Sequence, residues 1–280
     1  MAISKYHTLI LTFIVVFSFT SNEVLSQIPP LFDIQTFTGD YHTFIVAINN
    51  NDTLAIRSLV KDNRLDPNFI ESRNGISLLW WALANKKLLS CKSLLNVGAN
   101  PNLLDSNLNI PVVTRAASIS ENSDYLRLML EHGGNPNLAS MRKNNEEISY
   151  AYASPLCAAA TASLENVKLL ISYGADVDLS PFQEALPLTN ALVTKKIDVA
   201  QFLIINAKAD VKRVYIVNID KDTLNVCDLL RECVFKLDSK EYHTKMEIVN
   251  YIKHMGFDYR SSRIPRHLRA KFPKDYLEKY

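Results

Sequence analysis

Four stretches of the chain share one alternation of apolar and polar positions. They are SLLWWALANKKLLSCKSLLNVGANPN (77–102), VVTRAASISENSDYLRLMLEHGGNPN (112–137), SPLCAAATASLENVKLLISYGADVD (154–178) and LPLTNALVTKKIDVAQFLIINAKADV (186–211). Each reads as a short helix of small and apolar residues, a polar break, a second helix with paired large apolar residues, and a Gly-Ala-Asn/Asp type close. An earlier stretch, 43–68, follows the plan less regularly. The closing position falls at Leu65, Ala99, Gly134, Ala175 and Ala209, at intervals of 34, 35, 41 and 34 residues. A last degenerate copy ends at Met255-Gly256-Phe257-Asp258. Residues 214–219 (VYIVNI) break the helical period and predict a strand or hairpin, with helix-like segments at about 223–236 and 244–255.

Physical roles can be assigned within each copy. Ala82, Ala116, Ala117, Ala159, Ala160 and Ala191 are small enough for paired helices to approach closely. Leu94-Leu95, Met129-Leu130, Leu169-Leu170 and Phe202-Leu203 are expected to bury on the second helix. Gly98, Gly133, Gly174 and Gly256 are expected to stop it. The fullest copy runs from Ser154-Pro155-Leu156 through Ala159-Ala160 to Tyr173-Gly174-Ala175-Asp176-Val177-Asp178. A period near 33 with Ser/Thr-Pro-Leu opening the first helix resembles the ankyrin repeat.

The resemblance covers about residues 43–258. Leu78 and Val112 replace the Pro; Trp80, Thr114, Cys157 and Thr189 stand where the family has His; Lys208 replaces a closing Gly. The resemblance implies an all-α ankyrin-repeat solenoid of helix-turn-helix pairs with inter-repeat hairpin loops. Its units would lie at about 43–68, 75–102, 109–137, 154–178, 184–211 and 223–258, with degenerate capping repeats at both ends. One helix pair cannot bury its own apolar face, so neighbours must supply the rest.

The two ends read differently. Lys5 precedes an uncharged apolar run, Thr8 to Thr20, shorter than the roughly 20 residues of a membrane span. Polar SNEVLSQ follows, with Val24 and Ser26 at −3 and −1 of a cut before Gln27. This is the layout of a signal peptide over 1–26, with an uncleaved anchor as the alternative. Residues 27–42 form a lead-in. The tail 259–280 is basic and interrupted by Pro265 and Pro273. It is expected to be a solvated cap, with contact to an acidic partner or anionic membrane as the alternative. A net charge of +2 is too small to argue for nucleic acid. Cys91 and Cys157 fall on apolar helix positions and read as buried thiols; export would also permit disulfides among these and Cys227 and Cys233.

No phosphate loop, HExxH or GxSxG occurs. His132, just before a helix stop, reads as a partner of the last carbonyls. The chain is therefore expected to be no enzyme, to need no cofactor or metal, and to act by binding another protein, as a monomer when free. The resemblance implies a recognition groove lined by Val46, Trp81, Arg115, Ala158 and Asn190. Trp81 is the preferred anchor, because Trp and Arg dominate interface hot spots, while Trp80 is expected to face the core. Hairpin tips add Asp105, Asn107 and Phe182. A lengthening of about seven residues over the standard repeat, between Asn137 and Ser154, adds Arg142, Lys143, Glu146 and Tyr150 as a binding finger. Exported bacterial ankyrin proteins include immunity partners of antibacterial toxins, among them phospholipase effectors of the type VI system. The architecture is similar to theirs, which implies a periplasmic immunity protein that occludes such a toxin. The alternatives are a secreted host-directed effector and a general periplasmic scaffold.

Overall fold

The computed structural model describes residues 37–73, 75–104, 109–140, 152–181, 186–217 and 223–280. The signal-peptide expectation for 1–26 lies outside these residues. The described chain is mostly helical, as expected, and falls into two compact units, 37–187 and 188–280.

The first unit consists of helix pairs: α1 (Asp40–Asn49) with α2 (Thr53–Lys61), α3 (Leu78–Ala84) with α4 (Leu88–Asn96), α5 (Val112–Ala117) with α6 (Asp124–Glu131), and α7 (Pro155–Ala162) with α8 (Leu164–Ser172). First helices pack on first helices (α1 on α3, α3 on α5, α5 on α7), and second helices pack on second helices (α2 on α4, α4 on α6). Local chemistry sets the starts. The Ser77 hydroxyl accepts from the Trp80 N–H at 3.1 Å, and the Ser154 hydroxyl accepts from the Cys157 N–H at 3.2 Å, with Pro155 at the first helical position. The small residues do what their size allows: Ala82, Ala116, Ala117, Ala159 and Ala160 are fully enclosed, as are Leu94, Met129 and Leu170.

Buried polar side chains on second helices satisfy the open carbonyl ends of first helices in the preceding pair. Ser90 of α4 donates to Ile48 O of α1 at 2.8 Å. Asn166 of α8 donates to Ala117 O at 3.0 Å and to Ile119 O at 2.7 Å, closing the end of α5. Between pairs the chain turns through short antiparallel bridges, Ile70 with Ser77 and Leu104 with Pro111.

The second unit holds α9 (Pro187–Val193), α10 (Ile197–Gln201) running into a π-turn (Phe202–Asn206), a 3-10 turn (Val211–Arg213), and a two-stranded antiparallel ribbon of β1 (Tyr215–Val217) and β2 (Thr223–Asn225). Next come α11 (Val226–Glu232), α12 (Lys240–Lys253), α13 (Arg266–Lys271) and α14 (Lys274–Lys279). The ribbon meets the expectation at 214–219, and its return strand takes 223–225 from a segment expected to be helical. Asn225 and Asp228 start α11 by capping each other's backbone N–H.

The expectation of a solvated tail is corrected. Tyr259, Leu268, Leu277 and Tyr280 are buried, and Tyr276 donates to Phe235 O at 2.7 Å. The two prolines precede helices and do not prevent the segment from packing: each stands at an N-cap, Pro265 before α13 and Pro273 before α14. All four cysteines are buried free thiols. Among the described residues no helix is long and apolar enough to cross a membrane.

Candidate protein-binding surface

Within the first unit, successive closes are tied by one repeated pair of hydrogen bonds. The Asn68 side chain donates to Gly98 O at 3.2 Å and accepts from Asn100 N–H at 2.7 Å. Asn102 repeats this with Gly133 O at 2.9 Å and Asn135 N–H at 2.7 Å, and Asn137 with Gly174 O at 3.0 Å and Asp176 N–H at 2.7 Å. Gly98, Gly133 and Gly174 sit at positive φ, so each ends its second helix and turns its carbonyl toward the preceding Asn. The spacing read from sequence is thus a spacing of physical rungs.

The groove column does not stand open as expected. Trp81 is buried at 4 % exposure, its Nε1–H donates to Asn49 Oδ1 at 2.9 Å, and its ring meets Phe37 edge-on at 5.5 Å. Trp80 is instead half-buried, so the two tryptophans exchange the roles assigned to them. The reason lies before the first pair: Phe37 from the lead-in covers the Trp81 position and is itself buried. Ala158 and Asn190 are buried as well, whereas Val46 is exposed.

Arg115 is the column residue that keeps partial exposure, and it leads to the second expected surface. Its guanidinium lies 4.9 Å from the centre of the Tyr152 ring, at the far end of the lengthened segment. That segment is pinched shut at its base. Ser140 N–H donates to Ala153 O at 3.0 Å, and the Ser140 hydroxyl donates to Tyr152 O at 2.6 Å. The first-helix column and the insertion, read separately from the sequence, meet at Arg115 and Tyr152. Tyr152 belongs to the lengthened interval between Asn137 and Ser154, but its position beside Arg115 of the preceding helix pair is a tertiary fact with no local signal. Arg142, Lys143, Glu146, Tyr150, Asp105, Asn107 and Phe182 lie outside the described residues.

The chemistry around the surface is quiet. Burial pushes the thiols of Cys91 and Cys157 up to about 12, which keeps them protonated and poor as nucleophiles or metal ligands near neutral pH. His132 sits at its helix end as expected, with Nδ1 2.9 Å from Leu128 O and Nε2 3.2 Å from Asn96 Oδ1. Among the described residues no three His, Cys, Asp or Glu side chains gather as a metal site. Compared with known proteins, the chain matches no family model and no curated protein.

Proposed function

We propose that this chain is an exported ankyrin-repeat protein that binds another protein, with the surface around Arg115 and Tyr152 taking part. The observation that carries the reading is the Asn rung. The same side-chain pair of bonds recurs at Asn68, Asn102 and Asn137, each joining one close to the next. Such nearest-neighbour stitching suits repeats that present a continuous recognition face. Arg and Tyr stacked on one another, half-exposed beside a lengthened segment, supply the residue types that anchor interfaces.

The mechanism is occlusion. The partner is a secreted antibacterial toxin, a phospholipase effector being the first candidate, and the surface around Arg115 and Tyr152, with the insertion beside it, covers its active site. The architecture and the signal-peptide layout of 1–26 support this reading, in which the protein works in the periplasm. The test is co-expression with any toxin found encoded beside this gene, scored by cell survival and by complex formation. Arg115→Ala with Tyr152→Ala is expected to weaken the complex at least tenfold, the loss of one hot spot. Full affinity in that double variant removes the site. Absence of a complex with any neighbour-encoded toxin removes the immunity role. Recovery from the medium rather than the periplasm favours the host-directed alternative.

A further inference from the structure

The basic tail read from the sequence packs onto its unit, but its charges stay outside. Residues 259–274 (YRSSRIPRHLRAKFPK) hold six Lys and Arg and no Asp or Glu. Tyr259 and Leu268 of this stretch are buried, whereas Arg260, Arg263, Arg266, Arg269, Lys271 and Lys274 are all exposed. Helical spacing accounts for the centre of the patch. On α13, Arg266 and Arg269 lie on the face away from Leu268, with exposed Ala270 beside them. Arg269 Nε donates to Ile264 O at 3.0 Å, which turns its side chain back toward the bend that carries Arg263.

The segment is held in place by contacts outside the patch. Ser262 donates to Asp228 Oδ1 of α11, His267 Nε2 lies 3.1 Å from Glu232 Oε2, and Tyr276 donates to Phe235 O at 2.7 Å. Two of these contacts occupy carboxylates, and Asp258 accepts from the Arg260 N–H at 2.9 Å. Lys274 pairs with Glu278 at 3.7 Å. Among the described residues no carboxylate comes within ion-pair distance of Arg263, Arg266, Arg269 or Lys271. Four cations are thus fixed on one ordered segment without a counter-charge, and their mutual repulsion is relieved when an external anion sits against them.

We propose that this face, centred on Arg263, Arg266, Arg269 and Lys271, docks the protein on an anionic phospholipid bilayer. The proposal is independent of the binding role above. A cluster of about four to eight Lys and Arg is drawn to an anionic lipid surface by charge alone. The guanidinium fork also matches the two free oxygens of a phosphodiester. An acidic protein fits less well: the centre of a protein interface is built on apolar and aromatic anchors, and no large apolar side chain of 259–274 stands exposed. Nucleic acid carries the same phosphodiester, but the signal-peptide layout of 1–26 implies export, past a bilayer and away from nucleic acid.

Co-sedimentation of the protein in its exported form with lipid vesicles tests the docking. Vesicles of phosphatidylcholine alone measure any contribution of the apolar run 8–20; vesicles with about one-third phosphatidylglycerol add the anionic surface. Partition is expected to be at least about thirtyfold higher on the anionic vesicles and to fall steeply as salt rises from about 0.05 to 0.5 M. Arg263→Gln, Arg266→Gln, Arg269→Gln and Lys271→Gln together are expected to remove most of that gain, about fivefold for each charge lost. Arg57→Gln, Lys61→Gln, Lys92→Gln and Arg127→Gln take the same charge from α2, α4 and α6, and are expected to leave the gain within about threefold. All eight side chains are exposed, so both variants are expected to fold, with circular dichroism as the check. Equal partition of the parent on the two vesicle types, or equal losses in the two variants, overturns the proposal. Tighter binding to duplex DNA than to anionic vesicles overturns it as well. So does a first variant that loses a protein partner while its vesicle binding stays intact, which assigns the face to an acidic protein.

Discussion

The side-chain amide of Asn102 donates to the backbone oxygen of Gly133, 2.9 Å away and one repeat further along the chain. Its own oxygen accepts from Asn135 N–H at 2.7 Å, so a single half-buried side chain joins two closes twice. Asn102→Ala is expected to cost about 1–2 kcal/mol, and Asn102→Asp roughly half of that, since the carboxylate keeps the acceptor bond. Denaturant unfolding measures both; equal losses would show that only the donor bond matters.

Gly134 stands where the other repeats have Ala99 and Ala175. A Cβ built there would lie 2.7 Å from Met129 O and 3.1 Å from Val113 Cγ2. Backbone cannot yield as a flexible side chain can, so Gly134→Ala is expected to destabilise by about 1–3 kcal/mol although alanine is the residue of the neighbouring repeats. A melting temperature unchanged from the parent would contradict this packing.

Lys208 replaces the closing glycine and keeps its positive backbone angle, φ 62°. Its Nζ donates to Tyr251 OH at 2.9 Å. Lys208→Gly relieves the strained angle, whereas Lys208→Ala keeps the strain and loses the tyrosine contact. The glycine variant is expected to be the more stable of the two by about 1 kcal/mol, as read from paired thermal melts.

Trp81→Ala opens a large cavity under Phe37 and orphans Asn49 Oδ1, so it is expected to cost about 3–5 kcal/mol. Binding lost in that variant would then track unfolding. Trp81→Phe with circular dichroism and a binding assay separates the two effects: affinity per folded molecule is expected to stay at the parent value.

Stability is expected to fall at alkaline pH. Burial raises the thiols of Cys91, Cys157 and Cys233 to about 12, and that of Cys227 to about 11, above the ordinary 9.0. Above pH 9 the unfolded chain sheds these protons while the folded chain keeps them. Each thiol then removes up to about 1.4 kcal/mol per pH unit until its folded value is reached. Replacing Cys91 and Cys157 together by Ala is expected to halve the thiol part of this decline between pH 9 and 10.5, measured by urea midpoints.

The helix pairs were legible because their period, small residues and closing glycines are all local signals. The Trp80 and Trp81 assignments were reversed because α3 spans only seven residues, and its phase is set by Phe37 and Asn49, more than thirty positions upstream. The burial of Lys245 was invisible for a similar reason. A lysine in a polar helix reads as surface, whereas its contacts, Cys233 O, Tyr259 and Tyr280, come from other segments of the chain. At the candidate surface, Arg115 is legible through its column position and Tyr152 through the lengthened segment, while their stacking is not, because it joins two different helix pairs.

The rung from Asn137 to Gly174 spans 37 residues, where those from Asn68 and Asn102 span 30 and 31. The geometry of the bond is unchanged, and Ser140 has already joined the two strands of chain at the root of the excursion. Length has therefore been added at this seam without cost to the joint itself. Foreign peptide grafted between Ser140 and Tyr152 would ride on a closed stem, which makes this the natural place to install a tag, an epitope or a new specificity.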